Sequence, residues 1–273
     1  MVIERITNSM TNESKKIVIG PVELLISWAE DDRNLLFLQT GYKYSESDHD
    51  AEKVLEFLIT RAIGIFSTLR KVLENLPTGA TIIDIGAGNS LIDLLIHATY
   101  PEKKFKFVLV DGEDTYNYSE PGITGNTEYH SPSYTTYNNW SFLKNTILLN
   151  NMDESQFITK SPDDDWSDTP VDLVMSLSSW CWHYPASTYI DKVNSLLKLG
   201  GYVYINEMIN INDGYQLLSS TFNKDVECSF RQWKPSFDVE SSKVFIESDR
   251  KLNLIKKYGI NPAKFSGIFI SRK

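Results

Sequence analysis

The run Thr81-Ile82-Ile83-Asp84-Ile85-Gly86-Ala87-Gly88-Asn89-Ser90 constrains the fold more than any other stretch of the chain. Up to Ile85 it is short, apolar and β-branched, which predicts a buried strand. The segment that follows, Leu91-Ile92-Asp93-Leu94-Leu95-Ile96-His97, has helical spacing. Between them Gly86 and Gly88 bracket a turn, where a missing Cβ lets backbone lie directly against a ligand. Asp84 stands two residues before the first glycine, at the carboxyl end of the strand, which is where open α/β sheets bind their ligands.

Dinucleotide sites, methyl-donor sites and plain tight turns all use Gly-x-Gly. Two features sharpen the reading. The third glycine of the dinucleotide fingerprint is missing, since Leu91 occupies its position. A pyrophosphate needs the close approach to a helix N-terminus that the full pattern supplies. A methyl donor without phosphates does not, and it carries a cationic amine that Asp84 can neutralise directly or through water. Downstream, Phe105-Lys106-Phe107-Val108-Leu109-Val110-Asp111-Gly112 reads as a second strand ending in an acid. An acid there, about 20 residues past the glycines, is where a ribose diol is held, because carboxylate oxygens accept from two adjacent hydroxyls.

From Ala80 onward strands and helices alternate, which predicts a mostly parallel sheet. Strands are expected at 81–85, 105–111, 156–160, 171–177, 202–208, 226–230 and 267–271, with helices near 140–151 and 214–222. The long connection Glu113 to Asn139, rich in Tyr, Ser, Thr, Asn and Gly, is read as a lid or binding loop. Residues 1–77 are expected to form a helical cap ahead of the domain 78–273. In it, Pro21 to Trp28 reads as a short helix opened by Pro21. A long amphipathic helix is expected from about Asp50 to Leu76, ended by Pro77 and Gly79. That helix either packs on the sheet or carries a lid formed by Tyr42 to His49.

With these segments in place the chain resembles the class I S-adenosylmethionine-dependent methyltransferases. Asp84-Ile85-Gly86-Ala87-Gly88 and Val110-Asp111-Gly112 match the first two motifs. Val171 to Leu177 matches the fourth strand, and Leu196 to Ile205 leads into the fifth. The resemblance covers residues 78–210 or so. It implies an α/β, Rossmann-like, mostly parallel seven-stranded sheet with helices on both faces, whose last strand lies antiparallel between the fifth and sixth. It also implies S-adenosylmethionine as methyl donor and S-adenosylhomocysteine as product. Asp84, Gly86, Ala87, Gly88, Asp111 and Gly112 would hold the donor, Asp163 would contact the adenine, and Ser176 would lie near the sulfonium. Residues 231–263 exceed what a hairpin needs and are read as an insertion near the active site or a homo-oligomer contact.

In this family, substrate-side residues come from the loop after the fourth strand. Here that loop packs Trp180, Cys181, Trp182, His183, Tyr184 and Tyr189 close together, and its Ser179-to-Pro185 stretch resembles those of bacterial and viral methyltransferase-like proteins. His183, with an unperturbed pKa near neutrality, is the candidate general base, set against a purely structural role beside Pro185. Trp180, Trp182 and Tyr184 are candidates for a substrate wall, with core packing the expectation for at least one of the tryptophans.

Composition excludes several alternatives. A net charge of −9 argues against a general nucleic-acid binder. Two cysteines and scattered His49, His97, His130 and His183 give no zinc spacing. Ser176-Leu177-Ser178-Ser179 lacks the motif of amino-methylating DNA enzymes, and Ser176 with Asn206-Glu207 lacks the acids of metal-dependent catechol enzymes, so no metal is expected. Met1 to Lys16 has no apolar core and no stretch has the about 20 apolar residues of a spanning helix, so a cytoplasmic setting without membrane contact is expected. The reading is a methyltransferase for a small-molecule acceptor, oxygen preferred over nitrogen. The alternatives are a nucleic-acid or protein methyltransferase, or a non-catalytic donor-binding scaffold. A NAD-dependent oxidoreductase ranks last, given Leu91.

Overall fold

The computed structural model describes residues 3–8, 14–40, 47–112, 140–177, 179–180, 186–206, 217–218, 220–222, 227–232 and 265–273. The loop expected at 113–139 and the segment 231–263, save Arg231 and Gln232, lie outside them. The chain divides into two compact units, Met1–Asp168 and Thr169–Lys273.

The first unit begins with an antiparallel sheet of β1 (Ile3–Asn8), β2 (Ser14–Ile19) and β3 (Val22–Ser27), in that order. This corrects the helix expected from Pro21 to Trp28. Pro21 does not open a helix; with Gly20 it makes the two-residue connection of a hairpin in which Ile19 pairs Val22 and Ser14 pairs Ser27. Gly20 has φ +58°, the left-handed conformation such turns require. Two helices follow, α1 (Glu30–Thr40) and α2 (Asp48–Asn75). The apolar stripe of α2 is buried from Ala51 through Leu73, and Leu76 caps it where Pro77 forbids continuation.

The unit then turns to β4 (Thr81–Ile85), α3 (Leu91–Thr99), β5 (Lys106–Val110), α4 (Ser141–Leu149) and β6 (Phe157–Lys160). The three strands are parallel in the order β6-β5-β4, with Ile83 opposite Val108 and Val110 opposite Lys160. Ile82 to Ile85 and Phe107 to Val110 are buried residue after residue, the pattern of a parallel sheet covered on both faces. Phe107 and Phe157 stack with ring centroids 5.2 Å apart, and Phe105 meets Phe107 edge-on at 6.4 Å.

The N-terminal sheet is held to this half through α4. The Asn150 side chain accepts from Leu25 N–H (2.9 Å) and donates to the Leu25 carbonyl, so one amide replaces a missing strand partner on β3. The buried Asp32 carboxylate collects Ser27 Oγ–H, Ser141 Oγ–H and Asn145 Nδ2–H (2.8 Å), tying β3, α1 and α4 to one point. On β2, Lys15 is buried and pairs with Glu52 of α2 at 2.6 Å.

The second unit holds β7 (Val171–Leu177), α5 (Ile190–Leu196), β8 (Leu197–Asn206), β9 (Glu227–Gln232) and β10 (Phe265–Arg272). Its order is β7-β8-β10-β9, parallel between β7 and β8 and antiparallel around β10. The last strand therefore lies between the two before it, as expected, and the three and four strands make up the seven of a mostly parallel Rossmann-like α/β fold. The fifth of these, β8, starts earlier than the sequence suggested. Its register jumps from Val171↔Leu197 to Leu173↔Tyr202, and the excess turns through Gly200 at φ +81°. At Gly201 a Cβ would come to 3.0 Å from the Lys198 carbonyl and 3.1 Å from the Asp172 carbonyl, tighter than a side chain ordinarily meets, which favours glycine there.

Candidate active site

The end of β4 and the turn after it form the described core of the candidate site. Gly86 and Gly88 have φ +78° and +55°, conformations that a side chain disfavours, so the sequence pattern follows from the backbone path. The turn leans over the end of β5: Gly86 N–H donates to the Val110 carbonyl at 2.7 Å. Gly88 N–H donates to Asp111 Oδ2 at 2.7 Å and Gly112 N–H to Asp111 Oδ1 at 2.8 Å. Asp111 N–H in turn donates to the Lys160 carbonyl at the end of β6. Asp84, Gly86, Ala87, Gly88, Asp111 and Gly112 are thus brought together at the carboxyl ends of neighbouring parallel strands.

Electrostatically the site is a concentration of buried negative charge. Burial pushes the Asp111 carboxyl up to about 6, against the two backbone N–H groups that favour its charged form. Asp84 is 1 % exposed and is raised to about 7, first by burial and then by the Asp111 charge. Among the described residues no lysine or arginine pairs with either acid.

A third acid, not singled out from the sequence, completes the cluster. Asp93 sits in the first turn of α3, within the fully buried run Leu91 to Ile96. Neither of its oxygens receives a donor from elsewhere, and Asp84 Oδ1 is in the same position. A proton shared between the two carboxyls would satisfy them. Burial and the negative Asp84 raise Asp93 well above the carboxylate range, and a hydrogen bond to Asp93 favours the charged form of Asp84. Both carboxyls are thus pushed towards the neutral form, Asp93 the more strongly. The signal for it in the sequence was one acid inside a helix otherwise apolar on every side. Ser90, the residue before α3, is also buried, has φ +56°, and leaves its Oγ without a hydrogen-bond partner. No group of three or more His, Cys, Asp or Glu among the described residues is arranged to hold a metal.

Asp163 is exposed in the turn after β6, beside Asp164, whose Oδ2 accepts from Ser161 N–H at 2.8 Å. In the second unit Ser176 is fully buried near the end of β7, and its Oγ accepts from Trp180 N–H at 2.8 Å. Trp180 is fully buried as well: its indole N–H donates to the Ala186 carbonyl and its ring meets Tyr189 edge-on at 6.3 Å. Its side chain packs into the core. Trp182, His183 and Tyr184 lie outside the described residues, as does Cys181.

No family model and no curated protein matches the chain. Among solved structures it is similar to a precorrin-6y C5,15-methyltransferase from Geobacter metallireducens GS-15. That likeness has 13 % identity, covers 76 % of this chain and 86 % of the other, and has a TM-score of 0.43. A methyltransferase from Pyrococcus furiosus matches at 11 % identity over 78 % of this chain and 82 % of its own, with a TM-score of 0.41. TYW2 from P. horikoshii, solved with MeSAdo, matches at 12 % identity over 96 % of this chain and 72 % of its own, with a TM-score of 0.45.

Proposed function

We propose that the chain is an S-adenosylmethionine-dependent methyltransferase that works without a metal on a small-molecule acceptor, oxygen preferred over nitrogen. One observation carries the reading: Asp84 and Asp111 are held at neighbouring strand ends, on either side of the Gly86–Gly88 turn, as buried acids without a cation of their own. Such charge is costly unless a ligand brings the partner. A donor with a cationic amino-acid end and a ribose diol meets both demands, and the solvent-like alternative of a bare turn meets neither.

When bound, the donor supplies an electrophilic methyl group on a sulfonium, and transfer is an in-line displacement. The protein's task is then to bind and align. Asp84 takes the cationic amine. Asp111, held through Gly88 and Gly112, accepts from the ribose hydroxyls. Gly86 and Ala87 let backbone approach the donor, Asp163 takes the adenine amino group, and Ser176 lies towards the sulfonium. His183 removes the acceptor's proton, with Trp182 and Tyr184 beside the acceptor; Trp180 supports that loop from within. The net charge of −9 suits a small acceptor better than a polyanion. No helix among the described residues is long and apolar enough to cross a membrane. We place the protein in the cytoplasm.

Isothermal titration with S-adenosylhomocysteine, with NAD as control, tests this directly. Micromolar binding of the former alone is expected; binding of neither would leave a donor-free scaffold, and binding of NAD would overturn the methyl-donor reading. With an acceptor in hand, His183→Ala should slow turnover more than it weakens donor binding. Binding of RNA or DNA with a steep salt dependence would move the acceptor to a nucleic acid.

A further inference from the structure

Asp93 lies on α3, outside the glycine turn, and its carboxyl acts on that of Asp84 at the end of β4. It is fully buried on α3, both its oxygens lack a donor from elsewhere, and Asp84 Oδ1 shares that lack. Two carboxyls in contact on adjacent elements, without a cation, must hold a proton between them. We infer that Asp93 is a positioning residue of the donor pocket: it keeps that proton, donates it to Asp84, and so holds the Asp84 carboxylate singly charged and oriented for a cationic ligand. The inference rests on the methyl-donor reading above and assigns to it a residue outside the glycine motif.

The groups acting on the pair are few. Asp111 on β5 adds negative charge to Asp84, and Asp93 itself acts on Asp84 through the hydrogen bond. From α2 and β3, the elements packed against α3, no charged group acts on either carboxyl among the described residues. His97, one turn further along α3, is engaged with Gln156 Oε1 at 3.1 Å. A donor proton from Asp93 lowers the pH at which Asp84 ionises, and a cationic ligand binds the ionised form. Donor binding should therefore strengthen as pH rises through about 7 and then level off, because Asp93 stays protonated. Removing the donated hydrogen bond should move that midpoint to higher pH.

The test is calorimetric binding of S-adenosylhomocysteine from pH 5.5 to 8.5 to the full chain, to Asp93→Ala and to Asp93→Asn. Asp93→Ala should weaken binding at pH 7 about tenfold, the loss of one charge-assisted hydrogen bond, and shift the midpoint upward. Asp93→Asn, whose amide still donates, should bring both back towards the parent. Equal midpoints in all three proteins would overturn the inference and leave the function standing; absence of binding by the parent chain would overturn both. Should Asp93→Ala not fold, Asp93→Asn and the carboxyl 13C titration of the parent decide. An Asp93 resonance that deprotonates below pH 7 would equally sink the assignment.

Discussion

Asp111 sits at the end of β5 with one backbone N–H on each carboxylate oxygen, Gly88 on one side and Gly112 on the other. Those two bonds aim the group but do not offset its desolvation, since its carboxyl is still raised to about 6. An acid kept where the empty fold disfavours its charge suits the ribose-binding role proposed for Asp111. Asp111→Ala should therefore weaken S-adenosylhomocysteine at least tenfold, as expected for losing hydrogen bonds to a charged acceptor. It should leave the melting temperature within a few degrees, because the lost hydrogen bonds are set against the relief of a buried charge. Calorimetry together with a thermal melt checks both halves. Unchanged binding would remove Asp111 from the ribose site, and collapse of the fold would make it a structural acid.

At the scale of elements, polar side chains of α4 and its C-terminal cap bond the backbone of β3. Asn150 satisfies both Leu25 N–H and the Leu25 carbonyl, and Thr146 Oγ1 accepts from Ser27 N–H at 3.2 Å. Asn150→Ala should cost about 1–3 kcal/mol in chemical denaturation by stranding those backbone groups. A change within about 0.5 kcal/mol, the range of an ordinary surface substitution, would mean that water replaces the amide. This join also marks what the sequence could not show. The β4-turn-α3 unit was legible because a β-branched run, two glycines and a helical apolar repeat agree over many residues. Val22 to Ser27 offers six residues, too few to separate periods of 2 and 3.6, and Pro21 after Gly20 fits a helix start as well as a hairpin turn. Asn150 and Asp32 act across more than 100 residues of chain, and nothing local in the sequence announces such a pairing. Asp93 was hidden differently. Its helix is buried all round from Leu91 to Ile96, and the partner of the one acid in it lies on another element, where helical spacing gives no sign of it. Trp180 is buried, with its indole N–H on the Ala186 carbonyl, a partner that aromatic crowding in the sequence does not announce.

For the molecule as a whole, the three buried acids set the direction in which stability follows pH. Each has a folded-state pKa above its ordinary value of 3.8: Asp111 about 6, Asp84 about 7, and Asp93 well above. The folded chain thus holds protons that the unfolded chain releases. The stability they contribute is fully present below the unfolded value and is lost as pH rises through the folded ones. Asp153 acts in the opposite sense, its hydrogen bonds with Ser155 lowering it, but it titrates at acid pH, outside the range from 5.5 to 8 where Asp84 and Asp111 change charge. The overall charge of −9 adds self-repulsion that grows in the same direction as the buried acids. The two contributions separate by substitution. The melting temperature of the ligand-free protein should fall between pH 5.5 and 8, and Asp84→Asn should flatten that fall while leaving the general charge almost intact. Saturating S-adenosylmethionine should flatten it too, because its cationic amine neutralises the same carboxylate and binding shifts the folding equilibrium by mass action. Parallel pH slopes in the parent and in Asp84→Asn would remove Asp84 from the account of stability.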